Sequence, residues 1–427
     1  MLGGGTYLVQ NKILGGAYFK FTSKPKATAT IADRGFCALA LDLDWGAENE
    51  IIEIDSLDFA RDTMSVFGVS YTDDRMKYLR ELSLHCKTMY IYRLNGNGTK
   101  ASCALATAKY SGLRGNDIKI VVQANIDDES NFDVSTYVGN TLVDAQIVKN
   151  ASTLVDNDFV IFNKTVTLEA TAGVNLTGGE NGTSDDASHQ AFLDKLESYP
   201  SVNAVGYMGD NDTIKGLYVS YVKRLRDEIG IRLQAVVFNK RADSEAVVNV
   251  KNSADLVPWV LGVIGGTAVN KSATNMTYDG ELDVNTDFTQ KALENCLKNG
   301  EFVLHKVGDT TKVLEDINSF VSITDEKGDI FKDNQTIRVI DTIADSVAEI
   351  FASKYLGKVP NDASGRVSLW SDIVAIHKQL NDIRALEDFD SKQITVEQGD
   401  TKKSVLVKSN CTVVNTMVRL YMDTVIE

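Results

Sequence analysis

The chain has 427 residues with an ordinary globular composition, 43% apolar and 24% charged, so it can bury more than one hydrophobic core. It carries 59 acidic and 44 basic residues. Its formal net charge of −15 argues against a general nucleic-acid-binding protein, because such proteins need a basic face. Five scattered cysteines without a CxxC pair predict neither a disulfide framework nor a zinc site, and they fit a reducing compartment.

The N-terminal residues 1–20 are expected to form an arm rather than a domain. Their first ten residues lack the basic region and apolar run of a signal peptide. The glycines expected to act as hinges are Gly3, Gly4, Gly5, Gly15 and Gly16. Near these hinges lie two strand-like pieces, TYLVQ and AYFKF, which are too short to bury their own apolar side chains.

An α/β core is predicted from residues 21–102 together with residues 176–330. Its expected strands are 35–45, 88–94, 202–209, 232–238 and 301–307, and its expected helices are 73–86, 213–230 and 286–300. Because helix 213–230 lies between two strands, this βαβ unit predicts a sheet that is at least partly parallel. The longest apolar stretch, 256–269, contains Pro258 and is too short to span a bilayer, so no direct membrane insertion is expected.

Residues 103–175 change in character and are predicted to be a small β-sandwich or barrel inserted into this core. Strand-like pieces follow one another at short intervals, separated by segments rich in asparagine, aspartate and glycine. The stretch LTGGENGTS, residues 176–184, has no lysine for a phosphate-binding loop. We interpret it as a flexible joint at the end of the insertion.

The C-terminal part is predicted as an inner helical and β domain, residues 331–403, followed by linkage strands in residues 404–427. Apolar residues recur at helical spacing in 336–357, and a second helix is expected at 368–386. The chain ends on RLYMDTVIE, a strand-like segment with no breaker after it. The fold class expected overall is a mixed α/β multidomain protein with extended β arms at both ends.

The sequence lacks the common signatures of catalysis. There is no HExxH, no GxSxG and no paired histidine cluster, so no catalytic residue, cofactor or metal is predicted. A strand-like terminus that cannot complete its hydrogen bonding alone favours an assembly subunit. Two alternatives stay open: a static tube or capsid-type protein, and an α/β enzyme with a site at the strand C-termini.

Several stretches resemble the contractile tail-sheath family of bacteriophages, which includes the sheaths of R-type bacteriocins and related injection particles. In chain order they are GGAYFKF, YSGLRGNDIKI, LTGGENG, VLGVIGGTAVNKSATNMTYDG, IRVIDTIADSVAEIF, YLGKVPNDASGR, DIVAIHKQLNDIRALEDFD and VRLYMDTVIE. The resemblance covers essentially the whole chain. Near the end, where family members often have Pro-Val-Asp and Glu-Lys, this chain has Asn415 and Arg419.

The resemblance implies a structural protein of a contractile particle. Hexameric rings would stack as a helical sheath around an inner tail tube protein, with baseplate and tail terminator proteins as further partners. Contraction from a metastable extended state would drive the tube through a target cell envelope without a nucleotide. The particle would be a phage tail or a bacteriocin, assembled in the cytoplasm of a bacterial host.

The resemblance also implies that the terminal arms add strands to neighbouring subunits. The N-terminal arm residues expected to do so are Tyr7, Leu8, Val9, Tyr18, Phe19 and Phe21. Those of the C-terminal arm are Val405, Val407, Val413, Leu420, Tyr421, Met422, Val425 and Ile426. Candidate contacts to the tube are Lys354, Lys358, Arg366, Lys378 and Arg384, for which an ordinary solvated helix face is the alternative.

Overall fold

The computed structural model describes residues 34–426, together with the backbone of two short strands, Gly4–Gly5 and Ala17–Tyr18, which pair in parallel. The described helices are α1 (Ser56–Phe67), α2 (Lys77–Ser83), α3 (Asp186–Leu196), α4 (Asp212–Arg224), α5 (Val257–Gly266), α6 (Gln290–Lys298), α7 (Asn334–Ile350) and α8 (Ala363–Asp382). Single π-helical turns extend α4 through Leu225–Ile229 and α7 through Phe351–Tyr355. Within the described residues, no helix has both the length and the apolar composition needed to cross a membrane.

A seven-stranded sheet forms the centre of the fold. From edge to edge its strands are Glu301–Phe302, Val247–Val250, Gln234–Phe238, Ala204–Tyr207, Phe36–Leu41, Thr88–Arg93 and Ile51–Asp55. All neighbours are parallel except the last pair, which is antiparallel. Helices α1, α2 and α5 cover one face and α3 and α4 cover the other, which buries the inner strands on both sides. The parallel strands before and after α4 confirm the predicted βαβ unit.

Helix α1 is a part of this core that the sequence pattern does not predict. Its buried side chains are Phe59, Thr63 and Phe67, about one per turn, whereas Leu57 is 98% exposed. A stripe this narrow, with an apolar residue on the opposite face, produces only a weak helical period in the sequence.

The inserted segment is a β-sandwich. Its larger sheet has the strand order Thr171–Asn175, Ile118–Ala124, Phe132–Val138 and Thr141–Val148, and its smaller sheet pairs Ala106–Ala108 with Val160–Phe162. Alternate side chains such as Ile118, Ile120 and Val122 point into one shared core. None of the described strands closes the larger sheet into a barrel, so of the two predicted architectures the sandwich is the one observed.

The glycine-rich stretch after the sandwich is a tightly packed joint, and its interpretation as a flexible one is wrong. Thr99 and Glu180 exchange two backbone hydrogen bonds, of 2.9 and 3.0 Å, and the backbone N–H of Gly182 donates to the Asn95 carbonyl at 3.0 Å. A Cβ atom at Gly182 would overlap the carbonyl oxygen of Gly96. Gly179 and Gly182 are therefore explained by close approach of two backbones rather than by mobility, whereas Gly178 has a positive φ of 81° and open space around it.

Two side chains from the α/β core also fasten the sandwich. Trp45, which follows the strand Phe36–Leu41, is almost fully buried in the sandwich core and stands edge-on to the Tyr110 ring with centroids 5.4 Å apart. The guanidinium of the buried Arg93 donates hydrogen bonds to the carbonyl oxygens of Gly46, at 3.2 Å, and Ser111, at 2.9 Å. The sandwich is consequently fixed to the core by packing and buried hydrogen bonds as well as by its two chain connections.

Helices α7 and α8 confirm the two helices predicted near the C-terminus. With the antiparallel hairpin Ile394–Gln398 and Val405–Ser409, and the short pair Leu386–Glu387 and Thr412–Val413, they form what we call the C-terminal lobe. A further hairpin, Leu304–Val307 with Thr310–Val313, belongs to the α/β core.

Candidate assembly site

The hairpin of the C-terminal lobe is anchored on α8. The side chains of Val396, Val405 and Val407 pack into an apolar cluster around the buried Ile373. On the same side, the indole N–H of Trp370 donates to the carbonyl oxygen of Ile394 at 3.0 Å. One face of the hairpin is thus held by the helix, while its strands form a sheet of only two members.

Both outer edges of this two-stranded sheet lack a strand partner among the described residues. Gly399 donates its N–H to the Ser404 carbonyl and Asn410 donates to the Gln393 carbonyl, which sets the alternation of hydrogen-bonded pairs along the ladder. By this alternation the backbone groups of Val405, Val407 and Ser409 point away from the hairpin. The strand Val405–Ser409 therefore offers an open edge to another chain.

The chain after the lobe is first held against the subunit, in a segment that we call the root, residues 414–419. Val414 donates its N–H to the Ala385 carbonyl at 3.1 Å and accepts a hydrogen bond from the Gln335 side chain at 3.0 Å. The Asn415 amide donates to the Asp333 carboxylate at 2.9 Å. Arg419 forms an ion pair with Glu315 at 2.7 Å.

The root crosses an acidic part of the surface, next to a small polar cavity lined by Glu315, Asp316 and Asp333 among others. Burial, together with the neighbouring charges of Asp329, Asp316 and Glu315, raises the pKa of Asp333 to about 6. Asp316 is buried in an ion pair with Arg338 of α7.

Beyond the root lies a segment that we call the tip, residues 420–426, which has no regular secondary structure. Its apolar side chains are exposed, for example Leu420 at 89% and Ile426 at 90%. In an extended chain alternate side chains share a face, so Leu420, Met422 and Ile426 would lie together on one side. Five large apolar side chains in seven residues are therefore left without a partner on this subunit.

The structure separates the predicted C-terminal arm residues into two groups. Val405 and Val407 pair with the strand Ile394–Gln398 of the same chain, and Val413 pairs with Leu386. The others, which are unpaired and exposed, are Leu420, Tyr421, Met422, Val425 and Ile426. Because the backbone of Val405 and Val407 still faces the open edge, their role between subunits stays a prediction, as does that of the tip.

The candidate tube contacts are likewise of two kinds. Lys354 pairs with Asp372 at 2.6 Å, Lys358 donates to the Ser353 carbonyl, and Arg366 donates to Asn361. The two others, Lys378 and Arg384, are exposed and form no ion pair with the described residues.

Most of the predicted N-terminal arm lies outside the described residues. This holds for Tyr7, Leu8, Val9, Phe19 and Phe21 and for the hinges Gly3, Gly15 and Gly16. The backbone of Gly4 and Gly5 pairs with that of Ala17 and Tyr18.

Three of the four histidines form side-chain contacts within the subunit. His189 contacts the Tyr218 hydroxyl at 3.0 Å, His377 contacts the Ser409 hydroxyl at 2.9 Å, and His85 contacts Asp279 at 3.0 Å. Burial lowers the pKa of His189 and His377. Across residues 34–426, no group of three or more histidine, cysteine or acidic side chains is arranged to hold a metal ion.

Sequence reasoning misses the residues that hold the root. Asp333, Glu315 and Gln335 lie 79 to 104 residues before their partners, and no local pattern links them. The only signal was the departure of Asn415 and Arg419 from the residues that the resembling family often has there.

Comparison with known proteins identifies the chain. Family models match it in four consecutive segments: the Tail sheath protein Gp18 domain III N-terminal region at residues 34–94, the Phage tail sheath protein beta-sandwich domain at 95–181, the Phage tail sheath protein central domain at 182–319 and the Phage tail sheath C-terminal domain at 326–427. A sheath tail protein from Desulfitobacterium hafniense is 34% identical, with a TM-score of 0.83 over 94% of this chain and 97% of that one. The chain belongs to the phage tail sheath family.

Two further structures resemble this sheath subunit. A sheath tail protein from Listeria innocua is 31% identical, with a TM-score of 0.78 over 90% of this chain and 93% of that one. The helical sheath of the anti-feeding prophage in its contracted state shares the fold at 11% identity, with a TM-score of 0.58 over 97% and 99% of the two chains. The protein is a structural subunit of a contractile tail sheath.

Proposed function

We propose that this sheath subunit forms hexameric rings that stack into a helical sheath around an inner tail tube protein, and that contraction drives the tube through a target cell envelope. Its other partners are the baseplate and tail terminator proteins. The particle is a phage tail or a bacteriocin assembled in the cytoplasm of a bacterial host. The membership in the sheath family and the fold shared with a contracted helical sheath support this proposal.

The proposal rests on two complementary features of the subunit, the exposed apolar tip and the open strand edge of the hairpin. The tip exposes apolar side chains that its own subunit does not cover, and the strand Val405–Ser409 has an unpaired edge. Helix α8 already supports the hairpin, but the outward backbone groups of the strand Val405–Ser409 still lack a strand partner among the described residues, and a third strand would supply one. In this proposal the tip of one copy adds to a sheet of another copy, and main-chain hydrogen bonds hold the two subunits together.

The N-terminal arm takes part in the same exchange, through Tyr7, Leu8, Val9, Tyr18, Phe19 and Phe21, with Gly3–Gly5, Gly15 and Gly16 as hinges. Its charge supports docking on another part of the protein. Residues 1–20 carry two lysines and no acidic residue, whereas the rest of the chain carries 42 basic and 59 acidic residues. A basic arm is attracted to an acidic body, which favours productive encounters between subunits.

We further propose a division of the chain that follows the sequence prediction. Residues 21–102 with 176–330 form the core, 103–175 the outer domain, 331–403 the inner domain, and residues 1–20 and 404–427 the arms. The packed joint at Gly182 and the insertion of Trp45 support a core and outer domain that move as one body. Contraction then switches between two packings of rigid subunits, from a trapped extended state and without a nucleotide.

The inner domain faces the tube in this proposal. The basic residues Lys354, Lys358, Arg366, Lys378 and Arg384 are its candidate contacts. Lys378 and Arg384 are the better candidates because their charges are not paired with described residues of the same chain.

Deletion of residues 420–427 tests the proposal, because it removes the tip and leaves the root in place. We expect a folded subunit, with the circular dichroism and melting temperature of the intact chain, that no longer forms tubular polymers in negative-stain electron microscopy and sediments as a small species. A matched control is Leu57→Ser, which removes an equally exposed apolar side chain from α1. Normal polymers from the truncated chain would rule the strand exchange out.

A further inference from the structure

We propose that the root is a polar latch, which holds the start of the C-terminal arm on its own subunit so that only the tip is free to pair with another chain. The consequence for assembly rests on the proposed strand exchange. The latch itself is a property of one subunit and can be measured without any polymer.

Contacts from three separate places in the fold converge on the root. The Ala385 carbonyl and the Gln335 side chain hold the backbone of Val414. The Asn415 amide group lies between two partners, since its oxygen accepts from the Thr336 hydroxyl at 3.3 Å and its nitrogen donates to Asp333 at 2.9 Å. These contacts fix Val414 and Asn415 at the beginning of α7, and the third place is Glu315, which pairs with Arg419. The side chains of Met417 and Val418, between these two anchor points, are exposed.

The charges on both sides of the contact agree with this role. The surface beneath the root is acidic, with Asp333 facing Glu315, Asp316 and Asp329 and with Lys332 as the nearby base. Asp316 is neutralised by Arg338, and Glu315 by Arg419 of the root. An amide at position 415 supplies an N–H donor to this surface and no negative charge.

The latch lowers the cost of adding the tip to another subunit. A free strand must lose conformational entropy when it docks, and a segment already fixed at its base has fewer states to lose. The root also determines where on the subunit the tip leaves, which limits the neighbours that it can reach. Asn415 and Arg419 supply the side-chain contacts from the root.

The test uses an isosteric charge change and its reversal in the full-length chain. Asn415→Asp places a carboxylate against Asp333, whereas the double variant Asp333→Asn with Asn415→Asp restores one donor and one acceptor with their positions exchanged. Asn410→Asp is the control, since it adds the same charge at an exposed asparagine outside the root. Hydrogen exchange of the Val414 amide, the N–H of the root that donates to the Ala385 carbonyl, is followed at pH 8 on free subunits at low concentration. Polymer formation is followed separately by light scattering.

We expect Asn415→Asp to speed exchange in the root by about tenfold and to raise the critical concentration for polymers several-fold, because like charges replace a hydrogen bond. The double variant should return both values to within about twofold of the original, and Asn410→Asp should leave the root unchanged. Unchanged root exchange in Asn415→Asp, or no recovery in the double variant, would overturn the latch. If root exchange changes as expected but polymers do not, the latch stands as a contact and the strand exchange fails.

Discussion

Arg226 and Asp341 join the α/β core to the C-terminal lobe through two parallel hydrogen bonds of 2.6 and 2.7 Å. Both side chains are largely buried, and they connect the π-helical end of α4 to the middle of α7. Arg232, in the loop that follows this turn, forms a second pair with Asp345 of α7, at 3.0 Å. In a sheath subunit these pairs connect the proposed inner domain, which carries the C-terminal arm, to the bulk of the subunit.

The first prediction concerns this buried pair. Asp341→Ala leaves the Arg226 guanidinium buried without its main partner, so we expect the free energy of unfolding to fall by about 3–5 kcal/mol. Replacing both residues with apolar ones of similar volume should cost much less. Denaturant unfolding of the chain that lacks residues 420–427 measures this, with the exposed Arg61→Gln as a control that should not change the midpoint. An equal loss in the single and the double variant would contradict the prediction.

The second prediction concerns the joint between the core and the sandwich. Gly182→Ala forces a Cβ atom against the Gly96 carbonyl, and we expect it to lower the free energy of unfolding by about 2 kcal/mol or more. It should also open the joint to limited proteolysis. Gly216→Ala is the matched control, because its new methyl group meets open space on α4 and should stabilise the helix by up to ~1 kcal/mol. An unchanged free energy of unfolding in Gly182→Ala would show that the two backbones at the joint can move apart to accommodate the methyl group.

The third prediction uses the alternation along the hairpin. The backbone N–H of Val407 points to the open edge, whereas that of Leu406 bonds within the hairpin. Val407→Pro should therefore keep the lobe folded, as reported by Trp370 fluorescence, but should weaken polymer formation. Leu406→Pro should disrupt the hairpin itself and change the Trp370 signal. Wild-type polymerisation of Val407→Pro would indicate that this edge is not used.

The fourth prediction is a pH dependence that follows from Asp333. Its pKa is raised to about 6 in the folded chain, above the unfolded value, so its proton binds more tightly in the folded state. The stabilisation from this group is fully present below about pH 4 and is lost as the pH rises through 6. Asp333→Asn should consequently stabilise the subunit at pH 7.5, by roughly 1 kcal/mol after allowance for partial exposure, and should have little effect at pH 4.

The measurement for Asp333 is the thermal midpoint of the chain without residues 420–427 at both pH values. Asp309→Asn, at an exposed hairpin turn, serves as the control and should shift neither midpoint. A stabilisation of equal size at pH 4 and pH 7.5 would show that the effect of Asp333→Asn does not arise from its charge.

The sequence by itself determined the elements whose signal is local. Burial on both faces marks the strands around Val205 and Val236, alternation marks the sandwich strand that contains Ile120, and helical spacing marks α7. It also marked the tip as apolar and without a breaker. These properties depend on neighbours within a few residues, where side-chain periodicity records the environment directly.

Only the tertiary structure decided which distant segments touch. Three contacts join residues that are far apart in the chain. They are the packing of Gly182 against Gly96, the insertion of Trp45 into the sandwich, and the hydrogen bond from Asn415 to Asp333. Glycines at a joint look the same in the sequence whether they permit motion or permit close contact, and the space around them makes the difference. An acidic residue likewise reveals nothing of its pKa until burial and neighbouring charges are known, since both are properties of the folded chain.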